Sequence, residues 1–582
     1  MNLTPPFVLL DDARKADAAP ARLYTEPVEI VATRKPSEVL GALDALRTAT
    51  GGGLHAAGFM AYEAGHVLEP RLAHFAPPDG AMPLLWFGLF RDCREIAADA
   101  VAGVLPDPAG GWLGRPQPEL DAAAYAAKLD AVRALIAAGD IYQANLTFST
   151  HVATAGHPLA LYAGMRARAA AGHGAIVATG SEWLLSLSPE LFFSVREGQV
   201  RTRPMKGTAT RDSDPAALAA DPKQRAENLM IVDLLRNDLS RVAVAGSVAV
   251  PQLFHVETYP TLHAMTSTVT ATLAPGEDAV STLAALYPCG SITGAPKIRA
   301  MEVVAAIEDA PRGVYTGAIG RLDAWGEDGG GDAAFNVAIR TLAMVDGADG
   351  ARLGLGSGVV ADSTAVSEWA ECLAKGAFVA SDRRFDLVET MRFDPEAGLV
   401  RLDRHLERLN ASAELFGFVF DRHAARNELQ AATFRLRDPA RVRLLLAASG
   451  RVAVEVRAMP PVPDAPVDVV LMPLPVNRHD FRLRHKTTDR AFYDDARGDA
   501  FEVVFEVCGG VSEGSFTNVF VERGGVLLTP LLSLGLLSGV LRSELIDAGR
   551  AREADLSVGD LADGFLVGNS LRGLLPARLV RV

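Results

Sequence analysis

Two lysines lie in sequence settings where an amine could act as a nucleophile. Lys206 belongs to TRPMKGT, in which Gly207 lets backbone approach a ligand closely and Thr208 offers a hydroxyl. Lys486 belongs to RHKTTDR. A lysine that burial keeps neutral can attack carbon, as covalent catalysis requires. Taken singly, each lysine is better explained as an ordinary solvated side chain.

A third group of residues combines two carboxylates with an amine. Glu368, Glu371 and Lys375 are spaced i, i+3 and i+7, so they share one face of a helix. Considered alone, this spacing is typical of a surface ion pair between Glu371 and Lys375. The group becomes a candidate site only if neighbouring motifs support it.

Mixed helical and strand-like segments must position these groups. Apolar periodicity predicts helices over 121–138, 225–235, 296–307 and 364–378, and strands over 183–187, 200–205, 335–345 and 353–360. The stretch 325–332 (WGEDGGGD) is predicted to be a hairpin loop. These elements indicate an α+β domain over 1–380, with a core over 120–380.

The pattern of elements starts again after residue 380. FDLVETMRF predicts a strand, 402–416 predicts an amphipathic helix, and further strands are predicted near 442–447, 452–456 and 467–471. We therefore expect a second domain over 381–582 and an α+β multidomain chain.

Bulk composition excludes several classes of function. The chain has 582 residues, too many for one core, and its net charge of −14 argues against nucleic acid as a partner. Its four cysteines, Cys93, Cys289, Cys372 and Cys508, form no CxxC pair, which favours a reducing compartment. Because no apolar stretch could span a bilayer and the N-terminus lacks a signal-peptide pattern, we expect a soluble cytoplasmic protein without a membrane partner.

Long motifs in the first domain resemble the chorismate-utilising enzyme family. They are GDIYQANLT from Gly139, SPELF from Ser188, QRAENLMIVDLLRND from Gln224, GSITGAPKIRAME from Gly290 and GSGVVADS from Gly356. The resemblance implies that family's α/β sandwich fold, a chorismate substrate and a Mg²⁺ ion. It implies metal ligands at Glu227 and Glu371, with Glu368 close by. It implies substrate contacts at Gly207, Thr208, His263, Thr293, Tyr315, Arg340, Gly356, Ser357, Gly358 and Lys375, with a structural histidine as the alternative for His263.

Lys206 favours one branch of this family. PMKGT resembles the PIKGT of aminodeoxychorismate synthases. By the same resemblance, anthranilate synthases have an alanine at the position of this lysine. The resemblance implies attack of the Lys206 amine on chorismate, loss of water, and addition of ammonia, with Glu190 as general acid or base. The chain has no glutaminase signature, so a separate glutamine amidotransferase subunit is implied as the ammonia source.

Motifs of the second domain resemble fold-type IV pyridoxal-phosphate enzymes. The resemblance covers FDLVETMR, RLDRHLERL, VSEGSFTNVF, LLSGVLR and GNSLRG. It implies that Lys486 carries pyridoxal phosphate, that Glu513 faces the pyridine nitrogen, and that Arg408 holds the phosphate. It also implies cofactor contacts at Asn518, Gly539, Val540 and Ser570, and it is compatible with a homodimer.

The reaction of the second domain is open between three hypotheses. An aminodeoxychorismate lyase would use the product of the first domain and release pyruvate and 4-aminobenzoate, a folate precursor. An aminotransferase would use the same cofactor contacts, and an inactive module could instead dock the amidotransferase. The domain also lacks the initial strand pair common in free-standing relatives, which raises the question of how it folds.

Overall fold

The computed structural model describes residues 3–77, 80, 82–258, 262–325, 331–461, 463 and 466–580. The chain forms two compact units. The first unit comprises Met1–Leu105, Arg115–Val152 and Tyr162–Ala380, and the second comprises Pro106–Gly114, Ala153–Leu161 and Ser381–Val582. The division at residue 380 is where the predicted elements restart. Two segments of the preceding sequence nevertheless belong to the second unit, so neither unit is one continuous stretch.

The strands up to residue 359 belong mainly to the first unit. They are β1 (Phe7–Asp11), β2 (Ala21–Thr25), β3 (Glu29–Thr33), β4 (His55–Met60), β5 (Leu85–Phe90), β6 (Arg94–Ile96), β7 (Trp112–Leu113), β8 (Gln117–Pro118), β9 (Gln143–Val152), β10 (Thr154–Ala155), β11 (His173–Ala178), β12 (Glu182–Ser188), β13 (Leu191–Arg196), β14 (Gln199–Arg203), β15 (Met205–Thr210), β16 (Ala249–Thr258), β17 (Leu262–Thr272), β18 (Gly294–Ala295), β19 (Ala318–Leu322), β20 (Ala333–Val337), β21 (Thr341–Val345) and β22 (Ala351–Val359).

Two antiparallel sheets of ten strands each make up the first unit within its described residues. One has the order β18-β9-β22-β21-β12-β11-β1-β2-β6, with β8 on β9. The other has the order β15-β17-β14-β13-β20-β19-β4-β5-β3, with β16 on β17. Buried side chains of β1, β11 and β12 form one hydrophobic cluster with side chains of β4, β5 and β19, so the sheets pack face to face. The expected sandwich fold is confirmed.

The helices that lie wholly or mainly in the first unit are α1 (Val39–Gly51), α2 (Ala64–Leu68), α3 (Val101–Val104), α4 (Ala122–Ala137), α5 (Pro158–Ala169), α6 (Pro215–Ala220), α7 (Pro222–Ser240), α8 (Ala279–Leu286), α9 (Lys297–Ile307) and α10 (Ala365–Gly376). Asp121, Asp221 and Thr364 cap α4, α7 and α10 through side-chain oxygens. The predicted helix over 225–235 is longer than expected at both ends.

The strand predicted over 335–345 is wrong as one element. The chain leaves β20 at Val337 and enters β21 at Thr341, and these two strands belong to different sheets. Arg340 takes a left-handed conformation with φ 52° at this crossover. Apolar periodicity did not reveal the break because residues on both sides of it are buried.

The second unit contains one small sheet and one large mixed sheet. Its later strands are β23 (Leu387–Asp394), β24 (Gly398–Leu399), β25 (Ala440–Leu446), β26 (Val452–Ala458), β27 (Val467–Pro473), β28 (Glu502–Val507), β29 (Gly510–Gly514), β30 (Asn518–Arg523), β31 (Val526–Pro530), β32 (Ala551–Ala554), β33 (Phe565–Asn569) and β34 (Gly573–Val580). Its helices are α11 (Leu402–Phe416), α12 (Arg422–Thr433), α13 (Phe481–Arg484), α14 (Ala491–Arg497) and α15 (Val540–Asp547). The described strands pair in the orders β24-β23-β25-β26 and β29-β28-β27-β34-β33-β30-β31-β32.

Pro106–Gly114 and Ala153–Leu161 complete the core of the second unit. They pair through the antiparallel strands β7 and β10, and Trp112 packs edge-on against Phe416 with ring centroids 4.8 Å apart. The N–H of Ser381 donates to the carbonyl oxygen of Leu113 at 2.9 Å. The β7–β10 pair therefore contributes to a domain whose own sequence starts without the usual first strands.

Replacing Trp112 should destabilise the second unit. We expect Trp112→Ala to lower its free energy of unfolding by about 3–5 kcal/mol, since the indole is 8% exposed within the apolar cluster. Hydrogen exchange read by mass spectrometry in β23 and α11 would measure the change. Phe434→Ala is the matched control because that ring is 80% exposed. Unchanged protection in both variants would show that the β7–β10 pair is not part of the folding unit.

No helix within the described ranges is both long and apolar enough to cross a membrane. All four cysteines are free thiols.

Candidate active sites

Lys206 lies on β15, whose position is tied to α7 by a buried amide. The side-chain amide of Asn228 donates to the carbonyl oxygen of Lys206 at 3.2 Å. Ser267 Oγ donates in turn to Asn228 Oδ1 at 2.6 Å. Gly207 has φ 91°, a conformation that favours glycine. Asn228 stands beside Glu227 in the AEN motif and fixes the lysine strand, a role that the sequence analysis missed.

The amine of Lys206 faces the glycine-rich strand β22. A Cβ added to Gly358 would lie only 3.0 Å from Lys206 Nζ. Burial, reinforced by the positive charge of Lys375, lowers the pKa of Lys206, while the carboxylates of Glu190 and Glu227 oppose this shift. The arrangement favours a neutral amine more than an exposed lysine would, which is what a nucleophilic role requires.

Glu190 is a buried carboxyl that accepts hydrogen bonds from its surroundings. Ser291 Oγ donates to Glu190 Oε1 at 2.7 Å. Burial raises the pKa of Glu190, and the hydrogen bond from Ser291 and the charge of Lys206 oppose the rise. A carboxyl that keeps its proton to higher pH than usual can exchange it during a reaction, which suits a general acid or base.

Two of the predicted metal ligands occupy buried or half-buried positions. Glu368 is 9% exposed on α10, and Glu227 lies half-buried on α7. Burial raises the pKa of Glu227, and the negative charge of Glu368 adds to that rise. A bound cation would relieve this repulsion. Across the described part of the chain no three His, Cys, Asp or Glu side chains form a metal cluster, but Mg²⁺ commonly takes one or two carboxylates and completes its shell with substrate and water.

Glu371 is instead engaged in an ion pair. Its carboxylate lies 2.8 Å from Lys375 Nζ, and its side chain is 52% exposed. Lys375 Nζ also donates to the carbonyl oxygen of Gly356 at 2.9 Å. The surface ion pair considered from spacing is thus present, and it brings Lys375 to the glycine strand.

Arg340, predicted to grip a substrate carboxylate, and Tyr315, predicted as another substrate contact, both lie outside β22. Arg340 lies at the crossover between the sheets, and the ring of Tyr315 packs so closely under Gly354 that an added Cβ would lie 2.1 Å from Tyr315 Cγ. Ser357 points the other way. Its hydroxyl lies 3.1 Å from Tyr125 Oη, so only its backbone shares the face of Gly356 and Gly358.

His263 and Thr293 both have internal partners in this structure. His263 Nδ1 lies 2.9 Å from Thr258 Oγ1, and its Nε2 lies 3.0 Å from the carbonyl oxygen of Arg211. Thr293 Oγ1 donates to the carbonyl oxygen of Cys289 at 2.8 Å. The structural interpretation of His263 therefore has direct support. The side chain of Thr208 lies outside the described residues.

Gln143 belongs to this site, and the sequence analysis missed it. A Cβ on Gly358 would lie 2.6 Å from Gln143 Nε2, so this amide lies on the Gly358 face that Lys206 also approaches. Within the described structure neither polar atom of its buried side chain has a hydrogen-bond partner. Unpaired buried amides are costly and indicate a missing polar ligand. Gln143 lies in the motif GDIYQANLT, which carries the family resemblance but was given no residue role of its own.

In the second unit, all the predicted cofactor residues line one cavity of about 440 Å³. Its volume suits a small ligand. Among its lining residues are Arg408, Lys486, Glu513, Asn518, Gly539, Val540 and Ser570.

Glu513 is buried, Lys486 is half-buried, and the pKa values of both are shifted. Burial lowers the pKa of Lys486 to about 7, with Glu389 opposing the shift. Burial raises the pKa of Glu513 to about 7, although Tyr493 Oη donates to Glu513 Oε1 at 2.6 Å and the N–H of Leu537 donates to Oε2 at 2.9 Å. The pair supplies an amine that is easily deprotonated and a carboxylate in the same cavity.

Arg408 is held by a buried carboxylate that was not singled out from the sequence. Its guanidinium donates to both oxygens of Glu389, Nε at 2.8 Å and Nη2 at 2.7 Å. His405 Nδ1 lies 2.6 Å from Glu389 Oε2, and His405 Nε2 lies 2.8 Å from Ser570 Oγ. Glu389 thus orients two predicted phosphate contacts at once.

Removing the Glu389 charge should destabilise the second unit in a pH-dependent way. Despite burial, the charges of Arg408 and His405 hold the pKa of Glu389 well below its usual 4.5. Its contribution is therefore fully present above pH 4.5 and is lost as pH falls through the lowered value. We expect Glu389→Gln to cost about 3–5 kcal/mol at pH 7, and less below pH 4.5, in urea unfolding curves. Glu455→Gln on the edge strand is the control. An equal loss at all pH values would contradict this assignment.

The cavity fits a phosphorylated pyridine. The N–H groups at the start of α15 follow Gly539, and helix N-termini favour phosphate. A Cβ on Gly539 would lie 1.9 Å from Asn518 Oδ1, so only glycine leaves the backbone free there. Lys486 is also the only lysine in the sequence from 381 to 582, so no other amine of that range could carry the cofactor.

The first unit is thus a two-sheet sandwich that places a half-buried lysine against a glycine strand and near acidic residues. The second unit has a cavity of the kind that binds pyridoxal phosphate. Comparison with known families agrees with both. The chorismate binding enzyme family matches residues 6–381, and the amino-transferase class IV family matches residues 386–580. The chain belongs to the chorismate binding enzyme family and carries a class IV aminotransferase domain after it.

Relatives of the first unit include enzymes of two related activities. The chain is 40% identical over 258 residues to aminodeoxychorismate synthase component 1 of Klebsiella aerogenes, covering 43% of this chain and 56% of that protein. It is 34% identical to anthranilate synthase component 1 of Streptomyces coelicolor, covering 56% and 72%. The crystal structure of anthranilate synthase component I from Streptococcus pneumoniae matches with a TM-score of 0.53 and 26% identity, covering 63% of this chain and 93% of that one. The chain spans little more than half the length of the first of these relatives.

Proposed function

We propose that the chain makes 4-aminobenzoate from chorismate and ammonia in two steps. The first unit would convert chorismate to 4-amino-4-deoxychorismate, and the second would remove pyruvate from that product. The observation that carries the proposal is the placement of one half-buried lysine in each site: Lys206 Nζ lies against Gly358 of β22, and Lys486 lines the cofactor cavity. Neither position suits a solvated structural lysine.

In the first site, each group has a distinct task. Arg340 would bind a substrate carboxylate, and Glu227 with Glu368 would hold Mg²⁺ against the substrate. Lys206 would attack the ring carbon two positions from the departing hydroxyl, and Glu190 would supply or accept a proton. Glu371 is proposed to join the metal shell only after its ion pair with Lys375 opens.

In the second site, bound pyridoxal phosphate would supply the electron sink that elimination requires. Lys486 would hold the cofactor and then move protons at the substrate carbon. Glu513 would keep the pyridine nitrogen charged. Arg408, Ser570, Gly539 and Val540 would bind the phosphate, and Asn518 would hold the turn beside them.

The ammonia source is proposed to be a glutamine amidotransferase partner. The relative from Klebsiella aerogenes is named component 1, which implies a second component. A homodimer through the second domain remains a prediction from the family resemblance.

A single incubation tests the proposal. The purified chain is incubated with chorismate, Mg²⁺, pyridoxal phosphate and an ammonium salt, and 4-aminobenzoate and pyruvate are measured. Equal amounts of both products are expected. Anthranilate as the product would assign an anthranilate synthase activity instead. Accumulated aminodeoxychorismate without pyruvate would favour an aminotransferase or a docking role for the second unit.

A further inference from the structure

Seven arginine side chains line the cavity around Lys486, an excess of positive charge that the predicted cofactor contacts do not explain. Five of them have an acidic or carbonyl partner: Arg408 with Glu389, Arg443 with Glu455, Arg482 with Asp480, Arg490 with the carbonyl oxygen of Ser515, and Arg497 with Asp494. The remaining two are Arg441 and Arg572.

Arg441 and Arg572 have no carboxylate partner within the described structure. The Nε atoms of both are buried without a hydrogen-bond partner. Arg572 is held instead by aromatic faces, with its guanidinium carbon 5.2 Å from the ring centroid of Phe516 and 5.9 Å from that of Phe501. An unpaired guanidinium beside a cavity is stabilised when an anion enters. These two side chains are therefore preorganised for an anionic ligand.

The two guanidiniums line one cavity. Burial lowers the pKa of Arg572, and the positive charge of Arg441 is the next largest cause. Arg497 adds to the same repulsion, while Glu502 opposes it, and Glu502 is itself occupied by Ser515 and Thr517. A carboxylate between the guanidiniums would remove their mutual repulsion.

Arg441 lies farther from Lys486 along the sheet than Arg443 does. The N–H of Val388 on β23 donates to the carbonyl oxygen of Lys486. Farther along β23, Thr390 pairs with Arg443 and Arg392 pairs with Arg441, and each of these two-residue steps is about 7 Å. The carboxylate bound there must consequently be separated from the amine that reacts near Lys486.

We propose that Arg441 and Arg572 bind the ring carboxylate of a cyclic amine whose carboxylate lies across the ring from its amino group. An ordinary α-amino acid carries its carboxylate on the carbon next to the amine and cannot reach this pair while its amine is at Lys486. The subsite would therefore select the cyclic amine over α-amino acids. This inference rests on the proposed function and specifies how the second unit recognises that substrate.

The test compares two ligands of the full-length chain loaded with pyridoxal phosphate. 4-Aminobenzoate and aniline are titrated while the absorbance of the cofactor is followed, so only the second site is reported. We expect wild-type chain to bind 4-aminobenzoate at least about tenfold more tightly than aniline. Arg441→Gln and Arg572→Gln should lose this preference, and Arg572→Lys should retain part of it. Arg457→Gln, on the exposed face of β26, is the matched control and should behave as wild type.

A kinetic measurement separates this inference from the proposed function. With aminodeoxychorismate as substrate, both glutamine variants should raise KM for pyruvate release at least about tenfold and change kcat less. Suppose that wild type releases no pyruvate but the variants still lose the preference for 4-aminobenzoate. That result would contradict the proposed reaction and support the subsite.

Two results would overturn the subsite. One is that both variants fold and bind pyridoxal phosphate, yet their affinity for 4-aminobenzoate and their KM stay within twofold of wild type. The other is a weakened affinity for pyridoxal phosphate with no loss of preference for 4-aminobenzoate over aniline. That second result would assign the two arginines to the cofactor phosphate.

Discussion

Lys486→Ala should abolish pyruvate release and leave the first reaction intact. The variant should lack the visible absorbance of attached pyridoxal phosphate, release pyruvate at least about 10³-fold more slowly, and accumulate aminodeoxychorismate. The physical reason is that the cavity offers no second amine, since Lys486 is the only lysine in the sequence after residue 381.

Borohydride reduction of the wild-type chain gives an independent measure. Reduction fixes the cofactor to its lysine, and peptide mapping should place the added mass within the second half at Lys486 alone. Lys35→Ala is the control, because that side chain is 56% exposed and should have no effect. An unchanged yield of 4-aminobenzoate in Lys486→Ala would instead favour an inactive docking module.

Lys206→Ala should abolish amination in the first unit. We expect aminodeoxychorismate formation to fall at least about 10²-fold with ammonium salt as the nitrogen source. The measurement is best made in a Lys486→Ala background, where the product accumulates. Because Lys206 has a pKa below the usual 10.5, the wild-type rate should rise with pH through a range lower than that of an exposed lysine.

The product mixture of Lys206→Ala distinguishes two roles for the amine. Loss of all aminated products supports covalent attack by Lys206. Formation of anthranilate would show that the lysine directs the position of amination without being indispensable to it. Undiminished aminodeoxychorismate would contradict both roles. Glu190→Gln, tested beside it, should slow the reaction because the variant carries no exchangeable carboxyl proton.

Much of the second site could be predicted from the sequence because its contacts are carried by short motifs. Lys486, Glu513 and Ser570 each stand in a recognisable local pattern, and the structure brings all three to one cavity. Glu389 was within a quoted motif too, but its importance depends on Arg408 and His405 on α11. Such a long-range pairing has no signature in periodicity.

The first site shows the same division. Motifs identified Lys206, Glu190 and the glycine strand, and the structure places Lys206 against Gly358. The orientation of the Ser357 hydroxyl toward Tyr125 could not be predicted. Neither could the lack of hydrogen-bond partners for the Gln143 amide within the described structure. Alternation along a strand shows which side chains share a face, but only the packing of the two sheets decides which face contacts the ligand.

The sequence by itself predicted the two candidate lysines, the order of the two domains and the residue types of each site. Only the tertiary structure decided that Trp112 and the β7–β10 pair belong to the second unit, that the chain crosses between sheets at Arg340, and that Arg441 and Arg572 have no carboxylate partner in the described structure. The physical reason is that residue type and spacing encode local chemistry and local conformation. Burial, charge pairing and core completion instead depend on segments hundreds of residues apart, which meet only in the folded chain.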